Sequence, residues 1–286
     1  MKIRAKAHGA ISILNAILTG IGGAMGVDLW TAAEVEALEA EKGIEVDIPK
    51  GEDPTLAMEA ARIVLEKAGV NGLGLRVKTS SIIPIGKGLK SSSAAANAIT
   101  LAACKAIGLR LSSEDVVRLS VEASIKAGVT VTGAFDDAYT SFFGGVNITD
   151  NRGMNVMLRK SAPENISVLI LVPDEKVYTK SVNVEAFRKV RDFAMKAVEL
   201  ALSGRCWDAM TINGLAVATA MDFDPSPILN ALRKGALGAG VSGTGPAIAA
   251  IAPPKRTEEI FEALARYGYV IKCKPNNRSA SWEIMK

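Results

Sequence analysis

The run Pro84-Ile85-Gly86-Lys87-Gly88-Leu89-Lys90-Ser91-Ser92-Ser93-Ala94-Ala95-Ala96 joins a glycine loop to a helix start rich in serine and alanine. Gly86 and Gly88 permit backbone angles and close approaches that a side chain forbids, and Ser91 to Ser93 suit the capping of a helix that continues to Ile107. Unpaired amides in a first helical turn, backed by the positive end of the helix dipole, form a site for an anion, so the chemistry suggested is phosphate binding. The alternative is an ordinary capped helix after a loop. Alanines behind the serines favour the first reading, because small residues let a ligand lie against the helix.

Phosphoryl transfer also needs carboxylates. Thr132-Gly133-Ala134-Phe135-Asp136-Asp137-Ala138 supplies two adjacent acids in an otherwise uncharged segment that runs on to Gly144-Gly145. Either acid can orient an acceptor proton or cap the helix expected from 136 to 142. A second glycine-rich run, Gly238-Ala239-Gly240-Val241-Ser242-Gly243, satisfies the dinucleotide fingerprint as a bare pattern. Its expected context is reversed, with a helix before it and the strand 247–251 after it, so a nicotinamide site is set aside. The order of a Walker A loop is absent. His8 is the sole histidine, which excludes a histidine cluster and, near a strand start, reads as structural, and Cys104, Cys206 and Cys273 stand far apart without metal-like spacing, as reduced intracellular thiols do.

The elements that must hold these residues read as mixed α and β. Strands are expected at 11–14, 27–35, 44–48 and 73–79, and later at 146–149, 154–158, 166–172, 247–251 and 269–274. Helices are expected at 54–68, 91–107, 112–127, 136–142, 184–202, 207–220, 227–234 and 258–267. Strands clustered early, helices in blocks and a second mixed half argue for an α+β fold. The boundary is placed near 160–165, giving domains 1–162 and 163–286. The 286 residues, 49% of them hydrophobic, supply ample core, and a dispersed net charge of +4 gives no reason to expect nucleic acid. The apolar stretch 10–27 is interrupted by Asn15, Gly20, Gly22, Gly23 and Gly26, which suits strand and turn better than a membrane span. A soluble, cytoplasmic protein is expected.

Gly88-Leu89-Lys90-Ser91-Ser92-Ser93-Ala94 resembles the Gly-Leu-Gly-Ser-Ser-Ala phosphate-binding core of the GHMP kinases (galactokinase, homoserine kinase, mevalonate kinase, phosphomevalonate kinase), with Lys90 where most members carry the last glycine. Together with the segment 132–138 it looks like the archaeal shikimate kinase branch. Gly240-Val241-Ser242-Gly243-Thr244-Gly245-Pro246 is similar to the third motif of that family. Residues 7–15 align with the first, with His8 and Ala10 in place of its proline and basic residue.

The resemblance implies a two-domain fold, with an N-terminal domain of ribosomal-protein-S5-like topology and a ferredoxin-like C-terminal domain. It also implies ATP and Mg²⁺, and a small-molecule substrate, shikimate, phosphorylated to shikimate 3-phosphate. Homoserine kinase is the runner-up, and a catalytically silent nucleotide-binding regulator is the reading from another class. By resemblance the segment from Pro84 to Ala94 holds the nucleotide phosphates, and Gly240, Ser242, Gly243, Thr244 and Gly245 close over them. Asp137 is then the catalytic acid with Asp136 beside it, and Ser92 and Glu122 serve the metal. Asn15, Thr132 and Lys90 are expected to meet the acceptor, its negative charge balanced by Lys90 or Lys6.

Overall fold

The computed structural model describes residues 1–39, 43–49, 51–70, 72–130, 133–174 and 184–285. In chain order its elements are β1 (Lys2–Leu14), α1 (Ala16–Thr19), β2 (Ile21–Glu39), β3 (Ile44–Asp47), α2 (Thr55–Ala68), β4 (Leu73–Ser81), α3 (Ser91–Ala106), α4 (Ser113–Lys126), α5 (Phe135–Phe143), β5 (Val146–Asp150), β6 (Asn155–Lys160) and β7 (Ser167–Val172). There follow α6 (Val184–Lys189), α7 (Arg191–Leu202), α8 (Cys206–Ala220), α9 (Ser226–Arg233), β8 (Gly238–Val241), β9 (Ile248–Ala252), α10 (Thr257–Ala265), β10 (Tyr269–Cys273) and β11 (Ser281–Ile284).

β1 alternates as a sheet with one covered face should: Ile3, Ala5 and Ala7 are buried, whereas Lys2, Arg4 and Lys6 point the other way. From Gly9 onward both faces are buried, because the strand runs beneath helices and into the second half of the molecule. The first sheet has the order β11-β1-β2-β4-β3, with β5 paired to β2 and β6 to β5. All its pairs are antiparallel except β3 with β4. α3 lies on β1 and β2 and is buried along nearly its whole length, its alanines bringing the helix close to the strands. The second sheet, β10-β7-β9-β8, is antiparallel throughout, and its first strand sits in the interior of the order, which is the ferredoxin-like arrangement.

Several expectations are corrected. The glycines at 22, 23 and 26 do not turn the chain; they lie inside β2, which is far longer than the expected 27–35. Their missing side chains make room: a Cβ on Gly22 would stand 2.3 Å from the Asp136 carboxylate, and one on Gly26 2.9 Å from the Asn276 carbonyl. The helix expected over 184–202 is broken at Val190 into α6 and α7. The helix expected at 227–234 is present as α9, but the unexpected strand β8 follows it and leads into the third motif, with Gly240 in it. The chain passes from the first sheet to the second between Lys160 and Ser167, and β11 pairs with β1 of the first sheet.

α8 packs closely on β8 at its glycines. A Cβ on Gly214 would lie 2.2 Å from the Gly240 Cα. Gly214→Ala is expected to destabilise the fold by about 1–3 kcal/mol through overpacking, read as a lower urea midpoint at unchanged slope; an unchanged midpoint would mean the helix is not seated on the strand in this way.

Candidate active site

The expected serine caps are not caps. Lys90 occupies the N-cap of α3 in the left-handed conformation (φ 65°, ψ 29°), and Ser91, Ser92 and Ser93 form the first helical turn. That conformation costs a non-glycine residue roughly 1–2 kcal/mol. The first helical bond runs from the Ala94 amide to the Lys90 carbonyl at 3.0 Å, so the three serine amides precede the ladder. Ser91, Ser92, Ser93 and Ala95 line a cleft of about 480 Å³, together with Ile85, Gly86, Gly88, Gly243 and Thr244.

α5 starts in the same way, its cap Ala134 left-handed (φ 48°, ψ 47°) and without a side-chain cap bond. Neither aspartate caps it; both sit in its first turn. Their environments differ. Asp136 is buried against Gly22, accepts from Asn151 Nδ2 at 2.7 Å, and its amide donates to Asn151 Oδ1 at 3.0 Å. Burial, and then the neighbouring Asp137 charge, raise its carboxyl well above the ordinary 3.8, against the pull of the Lys90 ammonium. Asp137 is the more open of the two, and Lys90 Nζ stands 2.8 Å from its Oδ1.

Three segments far apart in sequence are bolted together behind the cleft. The Ser12 amide donates to Ser242 Oγ at 3.1 Å, and Ser242 Oγ donates to the Gly88 carbonyl at 2.8 Å. The Gly243 amide and Lys90 Nζ each donate to Ser12 Oγ at 2.8 Å. Asn15 Nδ2 donates to the Gly243 carbonyl at 2.8 Å, and the Ala247 amide to the Lys87 carbonyl at 3.2 Å. A Cβ on Gly88 would stand 2.0 Å from the Ser242 carbonyl oxygen. Gly88 is thus required by the seating of one loop on the other.

Other expected site residues fall elsewhere. Glu122 is exposed on α4 and pairs with Lys126 at 3.4 Å, away from the cleft, so it is not presented to a metal there. Lys6 lies over the Trp30 ring at 4.6 Å on the far face of β1. Lys87 is buried, its ammonium on the carbonyls of Pro173 and Asp174, and Leu89 is core. Pro84 and Ala94 do not line the cleft. Asn15 lines it, but its Oδ1 caps α1 by accepting from Ile17. Thr132 lies outside the described residues.

Several contributors were missed. Ser12 interrupts an apolar run at 10–14, and a lone hydroxyl in such a strand was the available signal. Asn97, fully buried, donates to the Ala138 carbonyl at 2.8 Å and accepts from Ser120 Oγ at 2.6 Å, fixing α5 against α3 and α4. Asn151, just past β5, cradles Asp136. Among the described residues no three His, Cys, Asp or Glu side chains gather as a metal centre, and no helix is long and apolar enough to cross a membrane.

Gly88→Ala is expected to push the 88 and 242–245 loops apart, at a cost of about 1–3 kcal/mol, and to lower the thermal midpoint; retention of the wild-type midpoint would contradict the seating. A carboxyl raised by folding keeps its proton more tightly in the native state, so it removes stability as pH climbs from the ordinary value through the raised one. Asp136→Asn mimics the neutral acid, and its thermal midpoint relative to wild type should rise between about pH 5 and about pH 8; a difference independent of pH would mean Asp136 does not hold a proton in the fold.

Residues 55–145 match the model of the GHMP kinases N-terminal domain and residues 209–270 that of the GHMP kinases C-terminal domain. The chain is 43% identical over 281 residues to a shikimate kinase of Methanothrix thermoacetophila, covering 98% of this chain and 96% of the relative. It is 42% identical over 275 residues to a shikimate kinase of Pyrococcus abyssi, covering 95% and 98%. In fold it resembles the homoserine kinase of Cytophaga hutchinsonii, with a TM-score of 0.77 at 18% identity over 99% of this chain and 97% of that one. The cleft between the starts of α3 and α5 therefore lies in a protein that belongs to the GHMP kinase family.

Proposed function

We propose that this protein is a shikimate kinase, transferring the γ-phosphoryl group of ATP to a ring hydroxyl of shikimate to give shikimate 3-phosphate. The observation that carries the reading is one juxtaposition. The free amides of α3 and the open acid of α5 face the same cleft, in a chain more than two-fifths identical to proteins named for this activity. The resemblance to homoserine kinase, at 18% identity, concerns the fold alone.

In this reading the amides and hydroxyls of Ser91 to Ser93, backed by the α3 dipole, receive the phosphates. Thr244 and Gly243 line the same cleft. Asp137 orients the acceptor hydroxyl and takes its proton as the bond to phosphorus forms. Asp136, held against Gly22 and by Asn151, keeps the first turn of α5 in place. Mg²⁺ suits the site because such an ion takes one or two protein oxygens and fills the rest of its shell from phosphates and water; Ser92 and the first-turn carboxylates of α5 are the hard donors present. When bound it would neutralise charge on the outer phosphates. The shikimate carboxylate and three ring hydroxyls call for polar partners, and Asn15, Thr130 and Ser124 line the same cleft as Asp137. The cytoplasm is the proposed compartment.

A coupled ADP-release assay over shikimate, homoserine and mevalonate should give the highest kcat/KM with shikimate; a higher value for either competitor overturns the acceptor and keeps the kinase. Asp137→Asn should lower kcat by about 10²–10⁴-fold with little change in ATP affinity, and near-full activity in that variant would remove Asp137 from the chemistry.

A further inference from the structure

We infer that Lys90 is a positioning residue: it holds Asp137 in register with the phosphate-binding turn and with the 242–245 loop, and it is not a ligand of phosphate or acceptor. The inference rests on Asp137 being the catalytic acid, and the geometry around Lys90 supplies the rest.

Three observations converge. The backbone at 90 is left-handed, a conformation that glycine adopts freely and lysine does not, so the side chain must return something for its place there. The side chain is only 5% exposed, although Lys90 is the sole cationic residue among the described residues that line the cleft. Its ammonium is already committed: it donates to Ser12 Oγ at 2.8 Å and forms an ion pair with Asp137 Oδ1 at 2.8 Å. A lysine meant for phosphate would present its charge to the open cleft; this one turns it inward to an acid and a hydroxyl.

The hydroxyl carries the consequence across the molecule. Ser12 Oγ also accepts from the Gly243 amide, so Asp137, Lys90, Ser12 and the loop over the cleft form one chain of contacts. Displacing the loop displaces the second anchor of the lysine that steers the acid.

The test compares wild type with Lys90→Gly, which relieves the backbone and removes the side chain with its ammonium, and with Ser12→Ala, which removes one anchor and leaves Lys90 in place. Positioning predicts that kcat of Lys90→Gly falls by about 10- to 100-fold while ATP affinity and acceptor KM stay within about threefold. It also predicts that Ser12→Ala shows a smaller loss of the same kind. A weakened ATP affinity or raised acceptor KM, with kcat kept, would make Lys90 a ligand and overturn the inference. A readout free of turnover is a double-mutant cycle on thermal stability with Lys90→Gly and Asp137→Asn. The two changes should be non-additive, as for residues in contact, and additive changes overturn the inference. Wild-type protein that turns over none of the acceptors would defeat the kinase reading, and the cycle would then decide the role of Lys90 by itself.

Discussion

The hydroxyl of Ser12 accepts two hydrogen bonds, from the Lys90 ammonium and from the Gly243 amide, and these join segments 78 and 231 residues away from it along the chain. Both lone pairs are used in a site almost sealed from water, where an unpaired partner would be costly. Everything that faces the cleft is placed relative to this junction. β1 delivers Ser12 from its C-terminal end beside β2, the turn before α3 delivers Lys90, and the loop between β8 and β9 delivers Gly243.

Close backbone approach is the second constraint, and it explains most of the glycines near the site. Gly88 lets one loop sit on the carbonyl of Ser242, Gly22 leaves the space filled by the Asp136 carboxyl, and Gly214 and Gly240 let α8 settle on β8. The result is a rigid floor beneath two helix starts. Both starts have a left-handed, non-glycine cap, Lys90 and Ala134, and neither has a side-chain cap, so the first-turn amides of α3 are left for something other than the protein's own side chains. The two aspartates show how environment separates a chemically identical pair. One is buried, held by Asn151 and drawn toward its neutral form; the other stays open to the cleft and paired with a lysine.

Much of this was legible in the sequence where local pattern governs. The glycine turn and the α3 start, the acid pair on α5 and the amphipathic α2 and α4 all follow from periodicity and residue type, and the phosphate-loop resemblance led to the right family. Tertiary contact hid the rest. Ser91 to Ser93 read as caps because serine is a good cap, yet left-handed Lys90 takes the cap position and the serines form the first turn. The glycines of β2 read as a turn, since nothing local reveals that a carboxylate from residue 136 needs the space. Glu122 and Lys6 carried plausible charges, but helical phase and strand alternation turn them outward, whereas Ser12 and Asn97 looked unremarkable and are buried at the junctions. The closing strand β11, short and exposed, has too little pattern to reveal that it pairs with β1.

The central claim is that the first turn of α3 receives the phosphates and that the acceptor reacts between that turn and Asp137. The most direct measurement is a crystal structure with a non-hydrolysable ATP analogue and shikimate together. The account predicts phosphate oxygens on the amides of Ser91 to Ser93, with the 3-hydroxyl of shikimate between the terminal phosphate and the Asp137 carboxylate. Phosphates bound away from the start of α3, or an acceptor hydroxyl out of reach of Asp137, would contradict it.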